Sequence, residues 1–401
     1  MMRSLSLIGA VLGVGLVTSA AFAQAVAPPP PTRAPLTITP SVTFTEEFND
    51  NIDLDNDNRQ WDLITGITPG ITLNLEAPTY RLTAAYNFTA EIWARNPDRN
   101  AAFDRQNFTL DSFYQVRPEV ILTLTDTFAL NTDTNLIASE RVSTGSGGGW
   151  SNTVTPGVIW QIDPLMQLRT SGSYTMQRYD DAEQAESDVF RFDTMLERVF
   201  TPRFSGTAGY QFSYFEIEDE DRTTAHTPRV GGIFRATPTI TLTLNGGPMF
   251  VEQGDDDYIT PAVTAIYRQA LAFGSVSAFY DRNIGTAGGL GGTTINQTFG
   301  ASLDVITLRR GLSLTFAPQY TIVETHLDDR IDVHSLILPV TATYRFNEWI
   351  ALVASYQFFR QRSDSTIRTA AGDLLARDAD QNRIFVGVQF GYPFRFDSPF
   401  Q

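Results

Sequence analysis

The sequence predicts an all-β fold: a transmembrane, antiparallel, up-and-down β-barrel of about 18 strands, with 16 as the alternative count. Three observations lead to this class. Apolar and polar residues alternate with a period of two along most of the chain, which is the pattern of β-strands. Short turns alternate with longer polar loops, as in outer-membrane barrels. After residue 23 no apolar run approaches the ~20 residues of a spanning helix, so a chain that crosses a membrane must close its sheet.

The stretch from Arg383 to Phe396 shows the strand pattern most clearly. Its even-numbered residues from Ile384 onward are all apolar, and its odd-numbered residues are mostly small or polar. One continuous apolar face fits the wall of a barrel. The stretch also resembles the C-terminal assembly signal of bacterial outer-membrane barrels, which implies the barrel-assembly machinery as a partner. The residues that carry this likeness are Gln389, Gly391, Phe394 and Phe396, although Asp397 to Gln401 follow where such signals normally end.

The N-terminus predicts export. Arg3 precedes an apolar run from Leu5 to Val17, and small residues lead to Ala21-Phe22-Ala23. This order is typical of a secretory signal peptide, so we expect residues 1–23 to be removed before Gln24. Residues 24–35 contain four consecutive prolines and predict an extended periplasmic lead-in. The barrel is expected to occupy residues 36–401.

Composition narrows the partners. The chain has 29 basic against 45 acidic residues, a net charge of −16, and no lysine. This balance argues against nucleic acid, while acidic loops are compatible with cation-bridged lipopolysaccharide around an outer-membrane barrel. The absence of cysteine excludes disulfides and thiolate metal sites. No cofactor is predicted, and the oligomeric state stays open.

Turns and loops set the strand count. Short turns, many centred on proline, are predicted at 77–79, 117–119, 163–165, 201–203, 237–239, 268–270, 309–311 and 347–348. Longer acidic or glycine-rich loops are predicted at 50–60, 95–103, 133–149, 180–187, 218–223, 252–257, 285–293, 325–331 and 363–381. Eight turns and nine loops join about 18 strands, which leaves both termini in the periplasm. Six prolines fall within predicted strands, where we expect bulges or displaced strand starts: Pro40, Pro69, Pro156, Pro228, Pro261 and Pro318.

A family resemblance rests on the opening hairpin. Glu46 to Ile52 (EEFNDNI) followed by Thr68 to Ile71 (TPGI) resembles the first two strands of a family of little-characterised outer-membrane β-barrel porins. Members often accompany exopolysaccharide or exosortase-type surface systems. The resemblance implies an outer-membrane barrel and envelope transport of a saccharide, and it supplies no catalytic residues.

One loop suggests a cation site. Asp53, Asp55 and Asp57 have the spacing of the first half of a calcium-binding loop. Ile64 stands where such a loop needs its bidentate glutamate, so the loop is not an EF-hand. A weak cation site formed by these three aspartates is the remaining expectation, with a solvated acidic loop as the alternative.

The three histidines give little support to catalysis. His334 and Ser335 are adjacent in a predicted strand and must point to opposite faces. His326 shares a face with Asp328, but the sequence assigns no further catalytic group. A hydrolase at the rim therefore ranks last, and we predict that the protein is not an enzyme.

Charges on the inner face are more informative. Alternation places nine charged residues toward the lumen, where opposed charges would create a field that selects solutes: Glu91, Asp111, Arg169, Arg191, Asp193, Glu197, Arg229, Arg235 and Asp304. With about 18 strands the barrel holds an aqueous channel unless a loop folds in, and residues 133–149 and 363–381 are long enough to do so. The leading hypothesis is a passive channel for hydrophilic solutes, with surface polysaccharide as a candidate substrate. The alternative is a closed structural or adhesive barrel that acts through its acidic loops.

Overall fold

The computed structural model describes residues 35–132, 142–144, 148–306, 309–327, 330–368 and 374–397. The expected signal peptide, residues 1–23, and nearly all of the lead-in lie outside them. The strands are β1 Pro35–Asn49, β2 Asp62–Glu76, β3 Tyr80–Trp93, β4 Ala101–Arg117, β5 Val120–Asn131, β6 Gly149–Asp163, β7 Met166–Tyr179, β8 Ser187–Thr201, β9 Phe204–Ile217, β10 Thr223–Thr237, β11 Ile240–Gln253, β12 Asp256–Leu271, β13 Gly274–Thr286, β14 Thr293–Val305, β15 Leu312–Phe316, β16 Gln319–Glu324, β17 Asp332–Arg345, β18 Ile350–Ser363, β19 Ala379–Gly391 and β20 Phe394–Asp397. A short 3-10 helix, Pro97–Arg99, follows β3. Among the described residues, none of the helices is long and apolar enough to cross a membrane.

The strands form one closed antiparallel sheet. Successive strands pair along the chain, and β1 closes the ring by pairing with both β19 and β20. β15 and β16 both lie between β14 and β17, so they are two halves of one wall strand. β19 and β20 are likewise two halves, separated by Tyr392 and Pro393. Twenty segments with two such breaks occupy 18 wall positions, and the predicted barrel of 18 strands is confirmed.

Alternation gives the barrel an apolar outside. Val230 is 69% exposed and Leu244 58% exposed on neighbouring strands. Five apolar residues of β19 and β20 are exposed in the same way: Ile384, Val386, Phe390, Phe394 and Phe396. Aromatic residues such as Trp160, Phe200 and Trp349 are exposed close to the short turns. An apolar outer face with aromatic residues at its edge is the pattern of a wall that faces lipid.

One carboxylate breaks this pattern. Asp126 points outward on β5, between Val120, the partner of Trp160, and Leu130, the partner of Trp150. Its side chain accepts a hydrogen bond of 2.7 Å from the Asn152 amide on β6. A carboxylate on the lipid side between the two aromatic levels is costly, and this hydrogen bond offsets part of the cost.

The short turns lie where the sequence placed them, with one correction. Arg268, Gln269 and Ala270 belong to β12, and the turn is formed by Ala272 and Phe273. The strand pattern continues through the predicted position because Gln269 and Ala270 pair with Val276 and Ser275 of β13.

The prolines disturb the sheet less than expected. Pro40, Pro69, Pro156, Pro228 and Pro261 all lie inside continuous strands, so the expected bulges or displaced strand starts at these five positions were wrong. Where pairing is interrupted, the gap is on one side only. Pro69 still faces Val42 of β1 while its pairing with β3 lapses. The N–H that a proline lacks would be directed to only one of its two neighbouring strands, so the hydrogen-bond ladder with the other strand continues. Pro318 does break its strand, into β15 and β16.

The long-loop end of the barrel is filled by inward-folded segments. Pairing between β12 and β13 runs only from Val263 and Arg282 toward the short turn, whereas β13 and β14 stay paired to their tip. The outer part of β13 and the tip of the hairpin, residues 283–294, have therefore separated from β12, while Ile295 and Asn296 of β14 still pair with Glu324 and Val323 of β16. Ile284 and Ile295 pack against a buried apolar cluster from β8 to β12. We call residues 283–296 the inner hairpin.

Candidate functional site

The lumen wall carries the charges that alternation predicted. All nine lie on the face opposite the apolar belt, because their strand neighbours are the ones exposed outward; for example, Phe190 is 41% exposed, Val230 69% and Phe234 45%. The structure brings these side chains into separate groups, which follow one another along the wall from the long-loop end to the short turns.

A buried ion-pair network lies on the inner faces of β19, β1, β3 and β4. Glu47 Oε1 is 2.7 Å from Arg383 Nε, and its other oxygen is 3.6 Å from Arg105. Arg105 Nε lies 2.9 Å from Glu91 Oε1. Glu91 was predicted from the sequence, whereas Glu47, Arg105 and Arg383 were missed. The same alternation that placed Glu91 would have found Glu47, since it lies between the outward residues Glu46 and Phe48 on β1.

A second group lies on the inner faces of β8, β10 and β13. Arg229 is 3.9 Å from Asp193, and Asp281 is close enough to interact with it electrostatically. Arg191 donates a hydrogen bond of 2.8 Å to the Ile284 carbonyl of the inner hairpin and lies over the ring of Phe215 at 5.7 Å. Arg191 therefore binds the inner hairpin to the wall.

A third group lies nearer the short turns. Glu197 is 3.8 Å from Arg169 and 3.5 Å from Arg235, so one carboxylate serves two guanidinium groups. The remaining two predicted residues are also near this end. Asp111 pairs with Arg81 at 3.1 Å in an exposed position, and Asp304 accepts a hydrogen bond of 3.0 Å from Thr315.

Opposite charges are therefore paired between nearby strands of the wall and do not face each other across the lumen. Each ion pair described above joins strands that are adjacent or close in the sheet. Local pairing leaves small dipoles and hydrogen-bonding groups facing the interior instead of a ring of one sign, and rings of one sign are what give strong ion selectivity. The interior is polar and nearly neutral where these groups lie.

Three loops meet across the long-loop end of the lumen. Ala287 and Leu290 at the tip of the inner hairpin belong to one buried cluster with Val142, Leu375 and Ala376 from the loops after β5 and β18. Val323 of β16, Ile331 of the following loop and Val333 of β17 complete it. The Gly289 carbonyl accepts a hydrogen bond of 2.9 Å from the Ala185 amide. The two loops that the sequence singled out as constrictions do contribute, but the segment that crosses the lumen is the inner hairpin.

Its glycines make this packing feasible. Gly289 and Gly291 have φ angles of +93° and +79°, in the left-handed region, which glycine adopts without strain. A Cβ at Gly289 would lie 3.2 Å from the ring of Tyr179. The inner hairpin therefore depends on glycine for both its backbone conformation and its close approach to the wall.

The three aspartates proposed as a cation site point to different partners. Asp53 pairs with Arg99 at 2.6 Å and Asp55 with Arg377 at 3.4 Å. Asp55 also accepts hydrogen bonds from the backbone amides of Asp57 and Asn58. Arginine neutralises two of the three carboxylates, so this geometry does not favour a cation there, and the site stays a prediction.

Asp62 anchors the loops beside this end of the barrel. Its carboxylate accepts hydrogen bonds from the Asn96 side chain at 2.7 Å and from the backbone amides of Leu63, Arg95 and Asn96. Burial alone would raise the pKa of Asp62, but these four hydrogen bonds outweigh it and lower the pKa below the ordinary 3.8.

The histidines lie apart from one another. His334 faces outward and Ser335 inward, where it is buried, so the two do not cooperate, as the alternation required. His326 stacks on Tyr258 with ring centroids 4.2 Å apart. Its suggested partner Asp328 lies outside the described residues.

The candidate assembly signal lies at the closure of the barrel. Gln389 pairs with Thr43 and Gly391 with Ser41 of β1, while Phe394 and Phe396 pair with Ile38 and Leu36. The aromatic pair is 46% and 48% exposed on the outer face. Recognition of this segment by an assembly machinery stays a prediction.

Comparisons with known proteins found similar barrels among solved structures only. No protein-family model matches the sequence, and no curated protein matches it. Among solved structures, OccAB4 of Acinetobacter baumannii is 12% identical over 90% of this chain and 99% of its own, with a TM-score of 0.45. OpdO of Pseudomonas aeruginosa is 12% identical over 90% and 97%, with a TM-score of 0.44. OpdK of the same organism is 10% identical over 89% and 99%, with a TM-score of 0.45.

Similarities of this size carry no argument about what the chain does. The fold rests instead on the chain's own strand pairing, which closes through β1, β19 and β20, and on its apolar outer face. The architecture that the family resemblance implied is thereby confirmed: the protein is a transmembrane antiparallel β-barrel of 18 strands.

Proposed function

We propose that the protein is an outer-membrane channel for the passive diffusion of small hydrophilic solutes. One observation carries this proposal: a closed barrel of 18 wall positions, apolar outside, has charged and hydroxyl side chains on its inner face. Barrels of 16 to 18 strands are wide enough to hold water. The long loops would face the exterior and the short turns the periplasm, which gives the asymmetry usual for such barrels.

The inner hairpin supports a limit on solute size. It lies inside the wall of β8 to β12 and shares a buried cluster with the loops after β5 and β18. A solute must pass beside this packed layer or displace it. Nothing in this geometry favours a surface polysaccharide, the substrate that the family resemblance suggested, and small solutes fit it better. Weak charge selectivity is expected, since the wall charges are paired locally.

Location and partners follow from the same proposal. A lipid-facing belt requires a membrane, and export by the N-terminal segment would deliver the chain to the outer one. Insertion would need the barrel-assembly machinery, and the acidic loops would lie beside lipopolysaccharide bridged by cations. No contact with nucleic acid is proposed.

A second candidate is a closed barrel that acts through its outer loops. The apolar packing of Ala287, Leu290 and Val142 across the lumen favours it, because water does not wet such a layer. The loop tips also form an open depression of about 530 Å³ lined by three acidic residues and one basic residue, Glu220, Asp221, Glu252 and Arg222. Its net acidic surface suits a basic or cation-carrying partner.

Conductance decides between the two. Purified protein is inserted into a planar bilayer with a salt gradient across it. A steady conductance with a small reversal potential supports the channel. A folded protein that conducts no current supports the closed barrel.

A disulfide lock locates the constriction. A Cβ at Gly291 would lie 3.6 Å from Cβ of Ala185, within the range that a disulfide needs, and the chain has no other cysteine. In Ala185→Cys/Gly291→Cys, oxidation should fix the inner hairpin against the wall and hold the single-channel conductance at its lowest level. Reduction should restore the movement of the hairpin and the current fluctuations that it causes. The Gly291→Cys single variant carries the same backbone strain without the lock and serves as the control.

A further inference from the structure

We propose that Glu324, Asp332 and His334 form a binding site for a divalent metal ion on the outer face of the barrel, at the long-loop end. Glu324 and Asp332 are cross-strand partners on β16 and β17, and His334 is the partner of Ile322, two residues further along. All three side chains point to the same face, and their ligand atoms lie within 4.8 Å of one another. The three residues are partly buried, and the side chains of His334 and Asp332 are 39% and 42% exposed, so an ion can reach the site.

The histidine is held in the orientation that a metal ligand needs. The Tyr320 hydroxyl contacts His334 Nδ1 at 2.6 Å. When Nδ1–H donates to this oxygen, Nε2 presents its lone pair toward the two carboxylates. Metal-bound histidines almost always donate their second ring nitrogen in this way.

The contact between His334 and Asp332 is that of two ligands rather than that of a hydrogen bond. Nε2 and Asp332 Oδ1 are 3.1 Å apart, yet Oδ1 is buried and accepts no hydrogen bond from the described residues. Two atoms each ~2.1 Å from one metal ion at ordinary coordination angles are ~3.0–3.4 Å apart. A cation between them would satisfy an oxygen that is otherwise costly to bury.

His226 provides an internal comparison. It also faces outward near the long-loop end, and its Nδ1 contacts the Tyr210 hydroxyl at 2.5 Å. Its ring packs against Phe212, with centroids 5.1 Å apart, and it belongs to none of the groups of three metal-ligating side chains found among the described residues. The tyrosine contact is thus shared, and the pair of carboxylates is specific to His334.

The donor set indicates the class of ion. One imidazole nitrogen and two carboxylates suit zinc and similar transition metals. Calcium prefers six to eight oxygen ligands, which this site does not offer. The ion would join the ends of β16 and β17 at the base of the loop that carries Arg330, and Arg330 pairs with Glu220 across the mouth at 3.0 Å.

The test is zinc binding to the full-length folded protein in detergent, after treatment with a chelator. Isothermal titration and the thermal unfolding temperature are both measured with zinc alone as the probe. We expect one zinc ion per chain, a higher unfolding temperature with zinc, and at least tenfold weaker binding in His334→Ala and in Glu324→Gln. Tyr320→Phe should weaken binding about 10- to 100-fold, as loss of a positioning partner does.

His226→Ala is the matched control and should bind zinc as the unsubstituted protein does. Equal losses in His226→Ala and His334→Ala would overturn the proposal, because binding would then not depend on the carboxylates. No binding by the unsubstituted protein at millimolar zinc would also overturn it, as would equally tight binding of calcium. Each variant is first shown to keep the metal-free unfolding temperature of the parent, so that a loss of binding is not a loss of fold.

Discussion

Loosening the inner hairpin should widen the channel. The change is Ile284→Ala together with Ile295→Ala. These residues are cross-strand partners near the tip of β13 and β14, and they are 1% and 3% exposed in the cluster that joins the hairpin to the wall. Each Ile→Ala change in a packed core costs about 2–5 kcal/mol. Because neighbouring changes are not strictly additive, we expect a joint loss of about 4 kcal/mol or more of docking free energy.

A loss of this size is large compared with typical conformational equilibria. Shifting a docked hairpin from 99:1 to 1:99 takes about 5.5 kcal/mol. The polar contacts from Arg191 to Ile284 and from Ala185 to Gly289 remain in the variant, so the hairpin should alternate between docked and released states. We therefore expect larger single-channel conductance with frequent transitions to a lower level, measured in planar bilayers.

Ile259→Ala is the control for this experiment. Ile259 is on the neighbouring strand β12 but is 65% exposed on the outer face, so its truncation should leave conductance unchanged. If the double variant folds normally and conducts like its parent, the inner hairpin does not limit the pore, and the proposed constriction is refuted.

Three further changes test other parts of the structure. Glu47→Leu removes a carboxylate from a buried ion-pair network and should lower the free energy of unfolding in urea by about 3–5 kcal/mol. Glu46→Gln, a change at the exposed outward neighbour, is the control and should lower it little. Equal effects of the two changes would contradict the role of burial. Asp126→Leu should raise the free energy of unfolding in lipid vesicles by about 1–2 kcal/mol, and a decrease would mean that this face packs on protein. The lowered pKa of Asp62 means that its stabilisation is present above pH 3.8 and is lost as pH falls through the folded pKa. The protection factor of the Asn96 amide in hydrogen exchange, taken relative to its intrinsic rate at each pH, should therefore fall in that range, and it should already be low at neutral pH in Asp62→Asn.

Alternation alone determined most of the fold. A period of two assigns every side chain of a strand to one face or the other, and turns at regular spacing fix the number of strands. That was sufficient for the 18 wall positions and for the inward direction of Glu91, Asp193 and Arg229. Strand partners were harder, because a sequence does not give the shear of a barrel. The partners of Glu91 and Arg229 therefore came from the structure.

The inner hairpin was missed because its sequence obeys the same rule. Ile284 follows the parity of Tyr280 and Arg282, which face outward, and alternation alone would direct it to lipid. In the structure β13 beyond Arg282 lies inside β12 instead of pairing with it. The face of the hairpin that carries Ile284 therefore packs on the inner wall. The glycines between residues 285 and 292 looked like an ordinary flexible loop. Alternation cannot distinguish a face that meets lipid from one that meets a second protein layer, since both are apolar.

The wall behind the hairpin explains why it folds inward. Val189, Phe215, Ala225, Met249 and Val251 point into the lumen from β8 to β11, at positions where a water-filled channel would need polar side chains. Each large apolar side chain gains about 1.5–3 kcal/mol when it is fully buried, so leaving this patch in water would cost several kcal/mol. The inner hairpin covers this patch, and burial of the patch favours the docked position of the hairpin over the released one. The constriction is therefore part of the folded core, and solutes admitted by this channel should be those that pass beside it.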